Sequence, residues 1–200
     1  MVRYLGPKVK RLKNIGISFL PGFSSHKIKK TDISNSLKKK TNYFYCLKEK
    51  QKLRFKYSLT NKKLEQYILN NKKKPGIITL NLIKLLEMRL DSILFRTGFC
   101  KSLNQAKQFI SHKHVFINKT LVYSSNIILK VNDIIYINPN SSVCKIITNN
   151  LKTVPIIDFL NIQNLQYQVC IKTFKIKILR QILSSDISFY INQSLFLENF

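Results

Sequence analysis

Among the apolar residues between positions 79 and 97, Leu82, Leu86, Leu90, Ile93 and Leu94 recur in steps of 4, 4, 3 and 1. That spacing is the buried stripe of an amphipathic helix, and it predicts one long helix over 79–97 with Gly98 as its stop. Arg89 and Arg96, seven apart, then share a face, about 10 Å apart along the axis. A second helix is predicted over 102–113. Ser102 and Gln105 form a capping box at its start, Leu103, Ala106 and Ile110 line its inner side, and Lys107, Ser111, His112 and Lys113 stay outside. The period then shortens to two. VFIN and KTLVY read as strands around a turn at Asn118–Lys119, and NIILKVNDIIYI, 126–137, as further strand with Asp133 at its turn.

Upstream, 43–70 reads as two helices. The first carries Leu47, Leu53 and Tyr57 and is ringed by Lys48, Lys50, Lys52, Arg54 and Lys56; the second has Thr60 as N-cap and Leu64, Tyr67 and Ile68 inward. KKKPG, 72–76, is a turn. Residues 1–41 read as a basic, mostly irregular arm punctuated by Gly6, Pro7, Pro21 and Gly22, and 31–42 is too polar to order itself without a partner. Residues 138–154 read as a polar connection. Residues 155–200 return to a strand-like pattern (VCIKTFKIKIL), then a mixed helix or loop, DISFYINQSLFLENF.

Charge changes the picture most. Lys and Arg number 35 against 9 Asp and Glu, a net charge of +26. Self-repulsion on that scale opposes a compact free chain and suits one bound to a polyanion, nucleic acid first and an anionic membrane surface second. The greasiest stretch, IITLNLIKLLEMRLDSILF, is interrupted by Lys84, Glu87, Arg89 and Asp91, unlike a membrane span. Cys46, Cys100, Cys144 and Cys170 form no CxxC pair and read as free thiols in a reducing compartment. Lys outnumbers Arg, and Asn, Ile, Phe and Tyr abound, the signature of an AT-rich genome. No P-loop, GxGxxG, HExxH or GxSxG occurs. His112 and His114 lack the further ligands a metal needs and the nucleophile a general base needs. The sequence therefore predicts no catalytic residues, no metal and no cofactor. SHKH at 111–114 reads instead as a helix end whose groups reach phosphates and sugars, and whose Lys and His also complement the helix dipole.

The segment LLEMRLDSILFRTGFCKSLNQAKQFISHKHVFINKTLV, 85–122, resembles the helix–helix–hairpin RNA-binding domain of the small-subunit ribosomal protein four family. Leu86, Glu87, Arg89, Leu90, Asp91, Arg96, Gly98, Ala106, Lys107, Gln108, Ser111, His112, Lys113 and Asn118 match. Pseudouridine synthases, some tRNA synthetases and RNA methyltransferases carry the same module, so the flanks decide. RYLGP at 3–7 resembles the family's opening. Glu49, Lys50, Gln51, Lys52 and Arg54 match its EKQK-x-R helix, and Ile191, Asn192, Leu195 and Glu198 its ending. The remainder outside 87–137 holds no catalytic constellation, which disfavours a modifying enzyme.

The resemblance implies an α+β fold in which both chain ends build a mainly helical domain around an inserted RNA-binding domain. The expected boundaries are an arm at 1–42, a helical domain at 43–86 plus 151–200, and the insert at 87–150, with its module core at 87–137. It also implies a structural constituent of the small ribosomal subunit. Such a protein binds a junction in the 5′ domain of small-subunit rRNA early, nucleates assembly and contributes to translational accuracy. Expected partners are that rRNA, small-subunit ribosomal protein five, other small-subunit proteins and mRNA at its entry region. The implied rRNA contacts are Arg3, Tyr4, Lys8, Lys50, Lys52, Arg54, Arg89, Arg96, Lys101, Ser102, Gln105, Lys107, Gln108, Ser111, His112 and Lys113. The alternative is an RNA-modifying or ribosome-associated accessory factor.

Three departures stand out. Lys119 occupies the position where the family has Gly, and a non-Gly residue at positive φ costs roughly 1 kcal/mol. Residues 1–45 lack the cysteines that bind zinc in some relatives, so no zinc is expected. Several family Arg positions are Lys, which reaches phosphate without a bidentate fork. Resemblance from Arg3 onward leaves no room for a presequence, so the expected home is a plastid-type (apicoplast-like) ribosome. A mitochondrial or bacterial ribosome is the alternative.

Overall fold

The computed structural model describes residues 6–23, 28–29, 41–139, 141–153, 166–186 and 191–197. The chain divides into two compact units, Met1–Gln66 with Tyr190–Phe200, and Tyr67–Phe189. This differs from the expected boundaries, chiefly because strands within 151–200 belong to the second unit's sheet.

In the first unit, α1 (Lys8–Ile15) stands where an irregular arm was expected. Leu12 and Ile15 are buried one turn apart, enough to give the basic segment an inner side. The helix ends at Gly16 (φ 83°), whose N–H donates to the Lys13 carbonyl while that of Ile17 donates to Leu12. This is a Schellman motif, and glycine adopts its left-handed residue without penalty. Helix α2 (Asn42–Lys56) follows, with Cys46 and Leu53 buried. It packs against α1 and against the helix we number α8 (Gln193–Leu197). Buried Glu49 on α2 accepts from the Asn192 backbone N–H at 3.4 Å. Helix α3 (Asn61–Lys72), whose residues from Tyr67 on count with the second unit, begins as expected, with Thr60 Oγ1 accepting from the Lys63 N–H at 3.3 Å and with Leu64 and Ile68 fully buried.

The second unit corrects the long helix over 79–97. There are two helices, α4 (Ile78–Glu87) and α5 (Leu90–Arg96). The backbone at 88–90 leaves the helix to pair with 127–129: Leu90 N–H donates to the Ile127 carbonyl and Leu129 N–H to that of Met88, both at 3.0 Å. Ser92 Oγ donates to the Leu86 carbonyl at 2.8 Å, satisfying an acceptor that the break would orphan. Gly98 (φ 76°) follows α5 as anticipated.

Helix α6 (Leu103–Ser111) starts at its capped Ser102. Five antiparallel strands follow, in sheet order β2-β1-β3-β5-β4: β1 (Val115–Ile117), β2 (Thr120–Leu121), β3 (Ile134–Ile137), β4 (Tyr167–Cys170) and β5 (Lys175–Ile178). Of 126–137, only the last four residues are strand; the preceding stretch holds the bridge to Arg89 and a turn. Val115, Ile117, Ile135, Ile137, Ile176 and Ile178 alternate inward and meet Ile93, Leu94, Ala106, Phe109 and Ile110 in one core.

The expected connection at 138–154 contains α7 (Val143–Thr153). Val143 and Ile147 lie four apart and are buried in the same core. Asn150, a turn further on, is also buried and donates to the Phe99 carbonyl at 3.0 Å. Polar composition had masked a narrow but sufficient stripe. The α+β class expected from the sequence is the class observed.

The β1–β2 turn is pinned from one side. Asn118 (φ 48°) and Lys119 (φ 72°) both have positive φ, as in a type I′ hairpin. Asn118 Nδ2 donates to Asp133 at 2.8 Å, and its Oδ1 accepts from the Ile134 N–H at 2.9 Å. Lys119 has only its backbone strain there. Lys119→Gly is expected to raise stability by about 1 kcal/mol, read from the denaturant midpoint; an unchanged midpoint would show that the turn carries no such strain.

Candidate nucleic-acid interface

Helix α6 is built to present one face. Leu103, Ala106, Phe109 and Ile110 face the core, while Asn104, Gln108 and Ser111 are exposed and Lys107 is half-buried. Ser102 Oγ accepts from the Gln105 N–H at 3.2 Å, and Gln105 Oε1 accepts from the Lys101 N–H at 2.7 Å. The expected box is therefore present with its return bond shifted one residue outward. Ser102 and Gln105 hold the helix start, while the Lys101 side chain stays exposed.

The other end of α6 answers what SHKH does. Lys113 N–H donates to the Ile110 carbonyl and His114 N–H to that of Phe109, at 3.0 and 3.1 Å. This is a second Schellman motif, and its left-handed residue is Lys113 (φ 65°) rather than glycine. His112 and Lys113 are exposed, with the His112 and His114 rings 6.2 Å apart. The Lys113 ammonium lies 5.8 Å from the centre of the Tyr123 ring. Gln108, Ser111, His112 and Lys113 are all exposed; Ser111, His112 and Lys113 were expected outside, whereas Lys107, expected with them, is half-buried.

Arg89 requires a correction. It is 1% exposed, so its guanidinium is not at the surface where a phosphate contact was expected. Its Nε and Nη2 grip Asp91 at 3.1 and 2.8 Å, and Nη2 also donates to Asn126. The guanidinium lies 5.6 Å from the Tyr67 ring centre. Lys107 reaches the same Asp91 at 3.8 Å. Arg96, a quarter exposed, pairs with Glu87 at 3.1 Å and donates to the Asp186 carbonyl. The shared helical face expected for Arg89 and Arg96 is lost because the chain leaves the helix at Arg89 itself, the extended residue before α5.

In the first unit, Lys8, Arg11 and Arg54 collect on two stacked rings. Phe23 and Phe55 lie 5.7 Å apart; Lys8 stands over Phe23, and Arg11 and Arg54 over Phe55 at 4.9 and 5.7 Å. Burial first, and then the charge of Arg11, hold the Arg54 guanidinium below its usual range. A site that crowds two like charges is electrostatically ready for an anion. Arg11 escaped the sequence reading, although Leu12 and Ile15 already place it on the outer side of a helix. Lys50 pairs with Glu65 at 3.2 Å and Lys52 with Glu49, so both have acidic neighbours. Arg3 and Tyr4 lie outside the described residues. Among the described residues, no cluster of three His, Cys, Asp or Glu could hold a metal, and no helix is long and apolar enough to cross a membrane.

The helix pair α5–α6 followed by the β1–β2 hairpin is the architecture of an RNA-binding module. Residues 88–135 match the S4 domain family, and residues 3–87 match the ribosomal protein S4/S9 N-terminal domain. The chain is 42% identical over 161 residues to the small ribosomal subunit protein uS4c of Phaeodactylum tricornutum, covering 76% of this chain and 77% of the relative. It is 40% identical to the protein of that name from Phaseolus vulgaris, over 78% of each chain. The Toxoplasma gondii protein of that name is 36% identical, over 87% of this chain and 85% of its own. The chain belongs to the ribosomal protein S4 family.

Two substitutions separate structure from contact. Arg89→Ala leaves Asp91 buried with less compensation and is expected to cost roughly 3–5 kcal/mol of stability, read by denaturant unfolding; a loss confined to RNA affinity would contradict the buried role. Lys113→Gly is expected to do the reverse. It should gain about 1 kcal/mol of stability while weakening RNA binding and lowering its salt slope by about 0.7–0.9. An unaltered slope would remove Lys113 from the phosphate contacts.

Proposed function

We propose that this protein is a structural component of the small ribosomal subunit that binds small-subunit rRNA through the α6 face and its C-terminal Lys113. The adjoining family matches carry this reading: the module at 88–135 follows a ribosomal N-terminal domain at 3–87. The relatives' printed names agree. In this reading the rRNA site is a junction of the 5′ domain, recognised by backbone and shape. The contacts come from Lys8, Arg54, Lys101, Lys107, Gln108, Ser111, His112 and Lys113, joined by Arg11. The protein acts early in assembly, adjoins small-subunit ribosomal protein five and the mRNA entry region, and contributes to accuracy without catalysing a reaction. The uS4c relatives support a plastid ribosome, and the Toxoplasma gondii protein among them supports an apicoplast.

Binding to the 5′ domain of small-subunit rRNA, compared at moderate salt with an unrelated structured RNA of equal length, tests this. A preference on the order of a thousandfold is expected. Equal affinity for both would favour an accessory factor carrying the same module.

A further inference from the structure

Tyr123 is not among the RNA contacts proposed above, yet it is 64% exposed on the RNA-binding module. The hairpin places it. Phe116 pairs with Leu121, and the Val122 N–H donates to the Val115 carbonyl at 3.2 Å, so the register continues to His114 opposite Tyr123. Val115, Ile117 and Val122 are buried, which turns the alternate residues His114 and Tyr123 away from the core. The left-handed backbone at Lys113 brings its ammonium 5.8 Å from the Tyr123 ring centre. Strain of that kind persists where the surroundings impose it and is concentrated at functional sites. An open ring beside an ammonium is suited to a flat, electron-rich group carrying negative charge. No Asp or Glu occurs between Asp91 and Asp133, so this part of the chain offers no carboxylate to repel a phosphate.

We propose that Tyr123 is a stacking platform for the base of an unpaired nucleotide, whose phosphate is held by Lys113. This rests on the rRNA-binding reading and adds a recognition rule to it. Phosphate contacts along a helix are indifferent to pairing, whereas a ring that needs a free base face selects a bulged or looped nucleotide over continuous duplex.

The chain contains no tryptophan, so Tyr123→Trp creates a single indole that can be excited apart from the tyrosines. Its emission is expected to be quenched at saturation by the rRNA 5′ domain and by a single-stranded oligonucleotide, and unaffected by a fully paired duplex. Tyr123→Leu is expected to weaken binding to the 5′ domain by on the order of tenfold with an unchanged salt slope, and Tyr123→Phe to retain wild-type affinity. Unquenched emission at saturation with single-stranded RNA would overturn the proposal, as would wild-type affinity in Tyr123→Leu; the exposed ring would then belong to a protein contact. The wild-type preference for the 5′ domain is scored separately. Its loss would remove the ribosomal reading, while quenching by the oligonucleotide would still report stacking.

Discussion

The grip of Arg89 on Asp91 organises the second unit. A guanidinium that is 1% exposed must be compensated where it lies, and Asp91 supplies two parallel bonds from only two residues away. That local fork requires Arg89 to be extended, and an extended residue ends α4 and frees the backbone to pair with 127–129. Asn126 then meets the guanidinium edge and Tyr67 its face, while Lys107 of α6 is drawn to the same carboxylate. Helix break, bridge and α6 position follow from one ion pair. Such a pair contributes little net stability over an apolar core, but it tolerates few alternative arrangements.

Charge is managed by position. With a net charge of +26, the chain cannot neutralise its cations internally, and its few acids are concentrated on particular neighbours. Glu49, Glu87 and Asp91 are buried beside Lys52, Arg96 and Arg89, so these acids fix architecture. The exposed C-terminal end of α6 has no acid nearby in sequence. At Lys113 and Lys119 a lysine occupies a backbone geometry that glycine would enter more easily. Both positions lie on the same hairpin-and-helix module, where added cationic charge favours polyanion binding at some cost in intrinsic stability.

Periodicity made α3, α6 and the β1–β2 hairpin legible, because each has a stripe wide enough or an alternation regular enough to stand out. Gly98 and Ser102 marked their boundaries correctly for the same reason. The break at Met88–Arg89 was not legible. Its apolar steps continue across it, and the competing interaction comes from residues nearly forty positions later. Helix α7 was obscured by Asn and Lys around a stripe of two deeply buried residues, Val143 and Ile147. On α6, the exposure of Ser111, His112 and Lys113 could be read from the helix face, whereas Arg89 could not be told from a surface arginine without its burial. Tyr123 could have been found by extending the hairpin register two pairs beyond Leu121.

The sheet order has a consequence for the path by which the protein folds. The β1–β2 pair closes over a two-residue turn, but β3 completes its other edge only when β5 arrives from beyond α7. In the first unit, Glu49 waits for a backbone donor 143 residues away. Loops of that length close slowly, and until they close, one edge of β3 and one side of α2 lack their partners. The α6 end closes on its own last turn and β1–β2 on a two-residue turn, and the next partner of β1, β3, also precedes α7. The cationic end of α6 and the β1–β2 turn can therefore take shape ahead of the contacts from beyond α7, and a polyanion held there would shorten the search that remains.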